Sequence, residues 1–110
     1  MEKVIVYLSR YLESNEMSEY FHNQGFEALI TDQRSTLLTA YSQETFAKVY
    51  LEISNFSDIL LINSIKEINS DADIVLIVKP HLRDIIGVLQ NNNYRVINNI
   101  MNGSSSYHNP

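Results

Sequence analysis

Apolar residues along this chain alternate between short continuous runs and periodic stripes. Lys3-Val-Ile-Val-Tyr-Leu8 is a β-branched apolar run of the kind expected for a strand buried on both faces of a parallel sheet. From Ser14 to Gln24 the period changes: Met17, Tyr20, Phe21 and Gln24 recur at helical spacing among Glu16 and Glu19. Gly25 is expected to end that helix, because glycine takes the left-handed conformation after a last turn at little cost. Phe26 to Ile30 reads as a second strand. Asp32-Gln-Arg-Ser35 is a polar break that offers a side-chain cap to the next helix, predicted over Ser35 to about Glu44 with Leu37, Leu38 and Tyr41 as its apolar stripe.

Lys48 to Ile53 restores strand character, and Ser54-Asn-Phe-Ser-Asp58 is a turn with capping potential. Leu61, Ile62, Ile65 and Ile68 then mark one face of a helix that closes at Asp71 to Asp73. Ile74 to Val78 is the most hydrophobic strand and is expected at the centre of the sheet. Pro80 favours a helix start, and Leu82, Ile85, Ile86 and Leu89 give a stripe over 81–91 before Asn91-Asn-Asn93 and a fifth strand, Tyr94 to Ile97. Strict strand–helix alternation predicts right-handed crossovers and a three-layer, flavodoxin-like α/β fold with a parallel five-stranded sheet in the order 2-1-3-4-5. No helical stripe follows the fifth strand, so the last helix of such a fold is expected to be missing; residues 1–100 read as one domain and 101–110 as a flexible tail.

Composition narrows the function classes. The 110 residues carry 13 Asp and Glu against 8 Lys and Arg, a net charge of -5 that disfavours direct nucleic-acid binding. Without cysteine there is no disulfide framework, thiolate metal site or cysteine nucleophile. The longest apolar runs fall far short of the roughly 20 residues that span a bilayer, and Met1-Glu2-Lys3 leads almost at once into a strand, so a cytoplasmic protein without membrane segment or signal peptide is expected.

The run into Gly25-Phe-Glu-Ala28, then Thr36-Leu-Leu-Thr-Ala-Tyr41 followed by Lys48 to Ile53, and finally Ala72 to Ile97 together resemble a response-regulator receiver domain over roughly residues 3–99. The resemblance is one of pattern and implies a CheY-like fold. It also implies where phosphorylation chemistry would lie: an acidic pair after the first strand, an aspartate ending the third, and a lysine after the fifth. Leu8 and Ser9 stand at the acidic-pair positions, Glu52 at the phosphoacceptor position, and Ile97-Asn-Asn99 in place of the Lys-Pro pair. A hard divalent cation needs several carboxylate oxygens, which Leu8 and Ser9 cannot supply. Lys79-Pro80 imitates the missing pair, but using it so would leave a strand–helix unit unaccounted for between Glu52 and Lys79; in the register adopted, Val78-Lys79 replace the small hydroxyl residue of the family's switch.

What the resemblance implies is a degenerate receiver: a phosphorylation-independent pseudo-receiver, not an enzyme, that binds a protein partner or dimerises in signalling or transcription control. No metal and no cofactor are expected. Glu52 either imitates a phosphorylated aspartate or is an ordinary strand-end residue paired with Lys79 or Arg10. The alternative is a small-molecule or anion-binding module at the C-terminal edge of the sheet, with Lys79 and Arg10 as its cations. The missing last helix would expose apolar surface beside the fifth strand, so Val96, Ile97, Ile100 and Met101 are the candidate interface. Seven tyrosines suit either an interface or the rim of the core, while three histidines on separate segments and the absence of GxGxxG, P-loop and GxSxG motifs give no zinc site, nucleotide cradle or hydrolase elbow.

Overall fold

The computed structural model describes residues 1–8, 14–78, 82 and 95–97. Strands β1 (Glu2–Tyr7), β2 (Phe26–Thr31), β3 (Lys48–Ile53), β4 (Ile74–Val78) and β5 (Arg95–Ile97) form one sheet in the order β2-β1-β3-β4-β5. Every pairing is parallel, with Val4 opposite Ala28, Tyr7 opposite Leu51, Leu51 opposite Leu76 and Leu76 opposite Val96. Helices α1 (Ser14–Asn23), α2 (Arg34–Gln43) and α3 (Ile59–Ile68) supply the crossovers among the described residues. The predicted helix over 81–91 lies outside them, apart from Leu82, which packs against the core.

Side-chain alternation divides the core between the two faces of the sheet. Ile5 and Tyr7 of β1, Val49, Leu51 and Ile53 of β3, and Ile74, Leu76 and Val78 of β4 meet Leu37 and Tyr41 of α2 and Leu61, Ile62 and Ile65 of α3. On the opposite face Val4, Val6, Leu8 and Ile77 meet Met17 and Phe21 of α1, with Tyr50 against Phe21 at a ring separation of 5.0 Å. All of β4 is buried because it lies inside the sheet between β3 and β5. β2 lies at the sheet edge: Phe26, Ala28 and Ile30 are half-buried towards the α1 core, while Glu27 and Leu29 stay exposed.

Two local predictions have opposite outcomes. Gly25 does end α1, at φ 89°, with its N–H donated to the His22 carbonyl at 3.0 Å. The side-chain cap expected for α2 does not form: the helix begins at Arg34, one residue early, and its N-cap is Gln33. That shift leaves Asp32 outside capping register, where its carboxylate accepts from Gln33 Nε2 at 3.1 Å, and Thr31 Oγ1 takes the Gln33 N–H at 3.0 Å instead.

Candidate functional site

The sheet order reverses between β1 and β3, and in open α/β sheets the crevice at the C-terminal ends of two such strands is where ligands collect. Here that crevice is crossed by a polar clamp. After β3 the chain turns through Ser54 and Asn55 into a 3-10 turn, Phe56–Asp58, that leads directly into α3. Asn55 and Asp58 form a reciprocal capping box: the Asn55 side chain accepts from the Asp58 N–H at 3.2 Å, and Asp58 Oδ2 accepts from the Asn55 N–H at 3.2 Å. Asp58 Oδ2 also takes the Ser54 N–H at 2.8 Å. The other oxygen, Oδ1, accepts from Arg34 Nη2 at 2.6 Å, and the Asp58 side chain is only 4% exposed.

Arg34 reaches this turn from the start of α2. Its Nη2 also donates to Ser57 Oγ at 2.8 Å, and its Nε to the Tyr7 hydroxyl at the end of β1 at 3.4 Å. The Tyr7 hydroxyl and the Asp58 carboxylate both hold the guanidinium charged, against a smaller opposing effect of burial than the two together exert; of the two contacts the 2.6 Å one to the carboxylate is the stronger by geometry. One side chain thus ties the ends of β1, β2 and β3 together over the reversal point.

Sequence reasoning placed other residues at this edge. Leu8 is buried against the α1 core with its N–H donated to the Thr31 carbonyl at 3.0 Å, so its position offers no oxygen ligand. Glu52 lies opposite Ile77 one residue inside β3, is 8% exposed, and by strand alternation shares the α1 face with Tyr50. Ser9, Arg10, Lys79, Ile100 and Met101 lie outside the described residues. Val96 does not belong to an exposed patch: paired beside Leu76 it points into the α2–α3 core and is 6% exposed, while Ile97 is half-buried against the α1 core. Among the tyrosines, Tyr7 and Tyr41 are buried, with their hydroxyls meeting Arg34 and Asn69 Nδ2, the latter at 3.3 Å. This is the core-rim role.

Among the described residues, those at this edge do not fit the magnesium ion that a receiver holds there. Leu8 is apolar and buried, and both Asp58 oxygens are taken by Arg34 and two backbone N–H groups. Among the described residues no three His, Cys, Asp or Glu side chains come together as a metal site, and no helix is long and apolar enough to cross a membrane.

A doubly wound, flavodoxin-like fold is thereby defined, and known structures narrow it to the receiver type. The response regulator TrrA from Thermotoga maritima, in complex with Mg2+-BeF, is similar with a TM-score of 0.69 and 18% identity over 81% of this chain and 80% of its own. The receiver domain of the TMAO respiratory system response regulator TorR has a TM-score of 0.63 and 14% identity over 84% of this chain and 97% of its own. A chain from the complex of histidine kinase ThkA with TrrA has a TM-score of 0.63 and 15% identity over 84% and 97%. The fold is that of response-regulator receiver domains. In sequence, no protein-family profile and no curated protein matches.

Proposed function

We propose that this chain is a receiver-like domain that works without phosphorylation, as a regulatory protein-contact module. The observation that carries the reading is the Arg34–Asp58 clamp. At the edge where a receiver assembles acidic side chains around a cation, this chain places a guanidinium, and it consumes its nearby carboxylate in that ion pair and in capping the 3-10 turn that leads into α3. A cation there would find both Asp58 oxygens already taken and Leu8 in place of an oxygen ligand. Glu52 supports the same reading, because a carboxyl group 8% exposed inside β3 is poorly placed to take a phosphoryl group from solvent.

A similar solved structure is a response regulator in complex with a histidine kinase, which supports a protein partner for a domain of this fold. An anion-binding role at the same edge is less well supported, since the guanidinium of Arg34 is already neutralised by Asp58 and further bonded to Ser57 and Tyr7. The reading is tested by incubating the chain with Mg2+ and acetyl phosphate and recording its intact mass: no phosphoryl adduct is expected, and a Mg2+-dependent adduct on Glu52 contradicts the proposal.

A further inference from the structure

The sheet ends in two edges of unlike character. β5 is described over three residues, and its first, Arg95, is held to Asp73 at 2.6 Å. A short strand led by a charged side chain is a poor template for further pairing. β2 is six residues long, pairs with β1 in unbroken register without a bulge, and contains no proline, lysine or arginine. Its single charge is Glu27, and among the described residues no strand lies beyond it. Thr31 accepts the Leu8 N–H at 3.0 Å and so turns its carbonyl towards β1. By the alternation of a parallel strand Glu27 and Leu29 also bond towards β1, while Phe26 and Ala28 turn their N–H and carbonyl groups away from it.

The flanking helices lean inward and leave this edge open. α1 buries Met17 and Phe21 among Val4, Val6 and Leu8, and α2 buries Leu37 and Tyr41 among side chains of β1 and β3. On the α1 face Phe26, Ala28 and Ile30 are therefore only half-buried, and on the α2 face Leu29 is 37% exposed. Beside Leu29 lies a cavity of about 210 Å³ lined by Lys3, Glu27, Ala28, Leu29, Glu44 and Phe46. Lys3 and Glu44 are paired with each other there, so the contact it offers a newcomer is mainly apolar, from Ala28, Leu29 and Phe46.

We infer that β2 pairs antiparallel with β2 of a second copy of this chain about a two-fold axis at Ala28, joining two five-stranded sheets into one. What selects a second copy is that the strand matches itself when reversed about Ala28. Ala28 meets the partner's Ala28, the two exchanging the hydrogen bonds that point away from β1. Phe26 meets the partner's Ile30 on the α1 face, so each half-buried apolar side chain gains another. Glu27 meets the partner's Leu29 on the α2 face, which carries that leucine out of water beside the cavity. Neighbouring centres fit worse: a two-fold at Glu27 opposes two carboxylates, and one at Leu29 sets Phe26 against the partner's Asp32. A strand edge is smaller than the ~800 Å² per partner of a standard interface, so the dimer is weak and exchanges readily. This inference rests on reading the domain as a protein-contact module and names its partner. Phosphorylation of the chain would sink that reading and leave the pairing untouched, whereas a monomeric chain would do the reverse.

Sedimentation velocity of the full chain over a range of concentrations tests it, and a reversible monomer–dimer equilibrium is expected. Leu29→Glu sets like charges against the partner's Glu27 at both symmetric positions and is expected to raise the dissociation constant roughly fivefold or more. Adding Glu27→Lys to Leu29→Glu puts opposite charges at those positions and is expected to restore the dimer, a rescue that depends on the register about Ala28. Ala28→Pro removes an N–H that points away from β1, leaves the β1 ladder intact, and is expected to abolish pairing. Thermal melting establishes that each variant is folded; Glu27 and Leu29 are exposed, so the charge variants decide the matter even where Ala28→Pro does not fold. A wild-type chain that stays monomeric at every concentration overturns the pairing and leaves the edge to a strand of a different protein. A dimer indifferent to Leu29→Glu, or a Leu29→Glu defect that Glu27→Lys fails to rescue, overturns it as well.

Discussion

Arg34 occupies the first position of α2, where the positive end of the helix dipole disfavours a cation. The structure offsets that cost with a carboxylate at 2.6 Å and two further oxygen contacts. Asp58 in turn serves two elements at once, capping the 3-10 turn before α3 and holding α2. Replacing it with alanine removes the acceptor of the Ser54 and Asn55 N–H groups as well as the ion pair. Because Arg34 is 42% exposed and can turn to water, the expected loss is about 2 kcal/mol, below the ~3–5 of a fully buried pair. A urea midpoint for Asp58→Ala equal to that of the wild type contradicts this account. Tyr50 gives a pH-dependent effect. Burial raises its phenol above the ordinary value, with Arg95 acting in the opposite direction. The folded chain therefore holds that proton more tightly than the unfolded one, so the contribution is complete below the ordinary phenol value and is lost as pH rises through the raised one. Thermal melts above about pH 10 should fall less steeply for Tyr50→Phe than for the wild type. Parallel curves would show that Tyr50 is not the group responsible.

At the scale of elements, periodicity located β3 and β4 to the residue, and it marked the end of α1 through Gly25. Gly25→Ala isolates the backbone cost there, since a Cβ at this position meets nothing within 4 Å. A destabilisation of about 1–2 kcal/mol is expected from the positive φ alone, and an unchanged melting temperature would mean the turn relaxes to accommodate alanine. The start of α2 was misjudged because the cap depended on register: with Arg34 as first residue, Thr31 rather than Asp32 meets the N-cap amide. The Arg34–Asp58 clamp was missed for a different reason. Its partners are 24 residues apart and belong to different crossovers, so no local period joins them. Two signals were nonetheless present: Asn55-x-x-Asp58 has capping-box spacing before an apolar run, and an arginine at a helix start requires a compensating anion.

For the whole molecule, strand–helix alternation was sufficient for the sheet order, because right-handed crossovers leave few ways to arrange parallel strands. The same alternation could not say which side chains meet at the reversal point, and there the sequence reading chose residues by their place in the receiver pattern. Leu8 is buried as an apolar residue should be, and among the described residues the edge is crossed by the Arg34–Asp58 ion pair, which that pattern did not include. The interface reading failed at Val96 because a residue in a sheet strand faces the core whenever its neighbour Leu76 does. On the proposed reading, the receiver fold carries an internal ion pair at the edge where cation-dependent chemistry would otherwise lie. The most direct measurement is a titration with Mg2+ and then beryllofluoride, followed by backbone amide chemical shifts. The account predicts that residues at the ends of β1 and β3, including Leu8, Glu52, Ser54 and Asp58, do not shift saturably with either addition. Localised, saturable movement at those residues would contradict it.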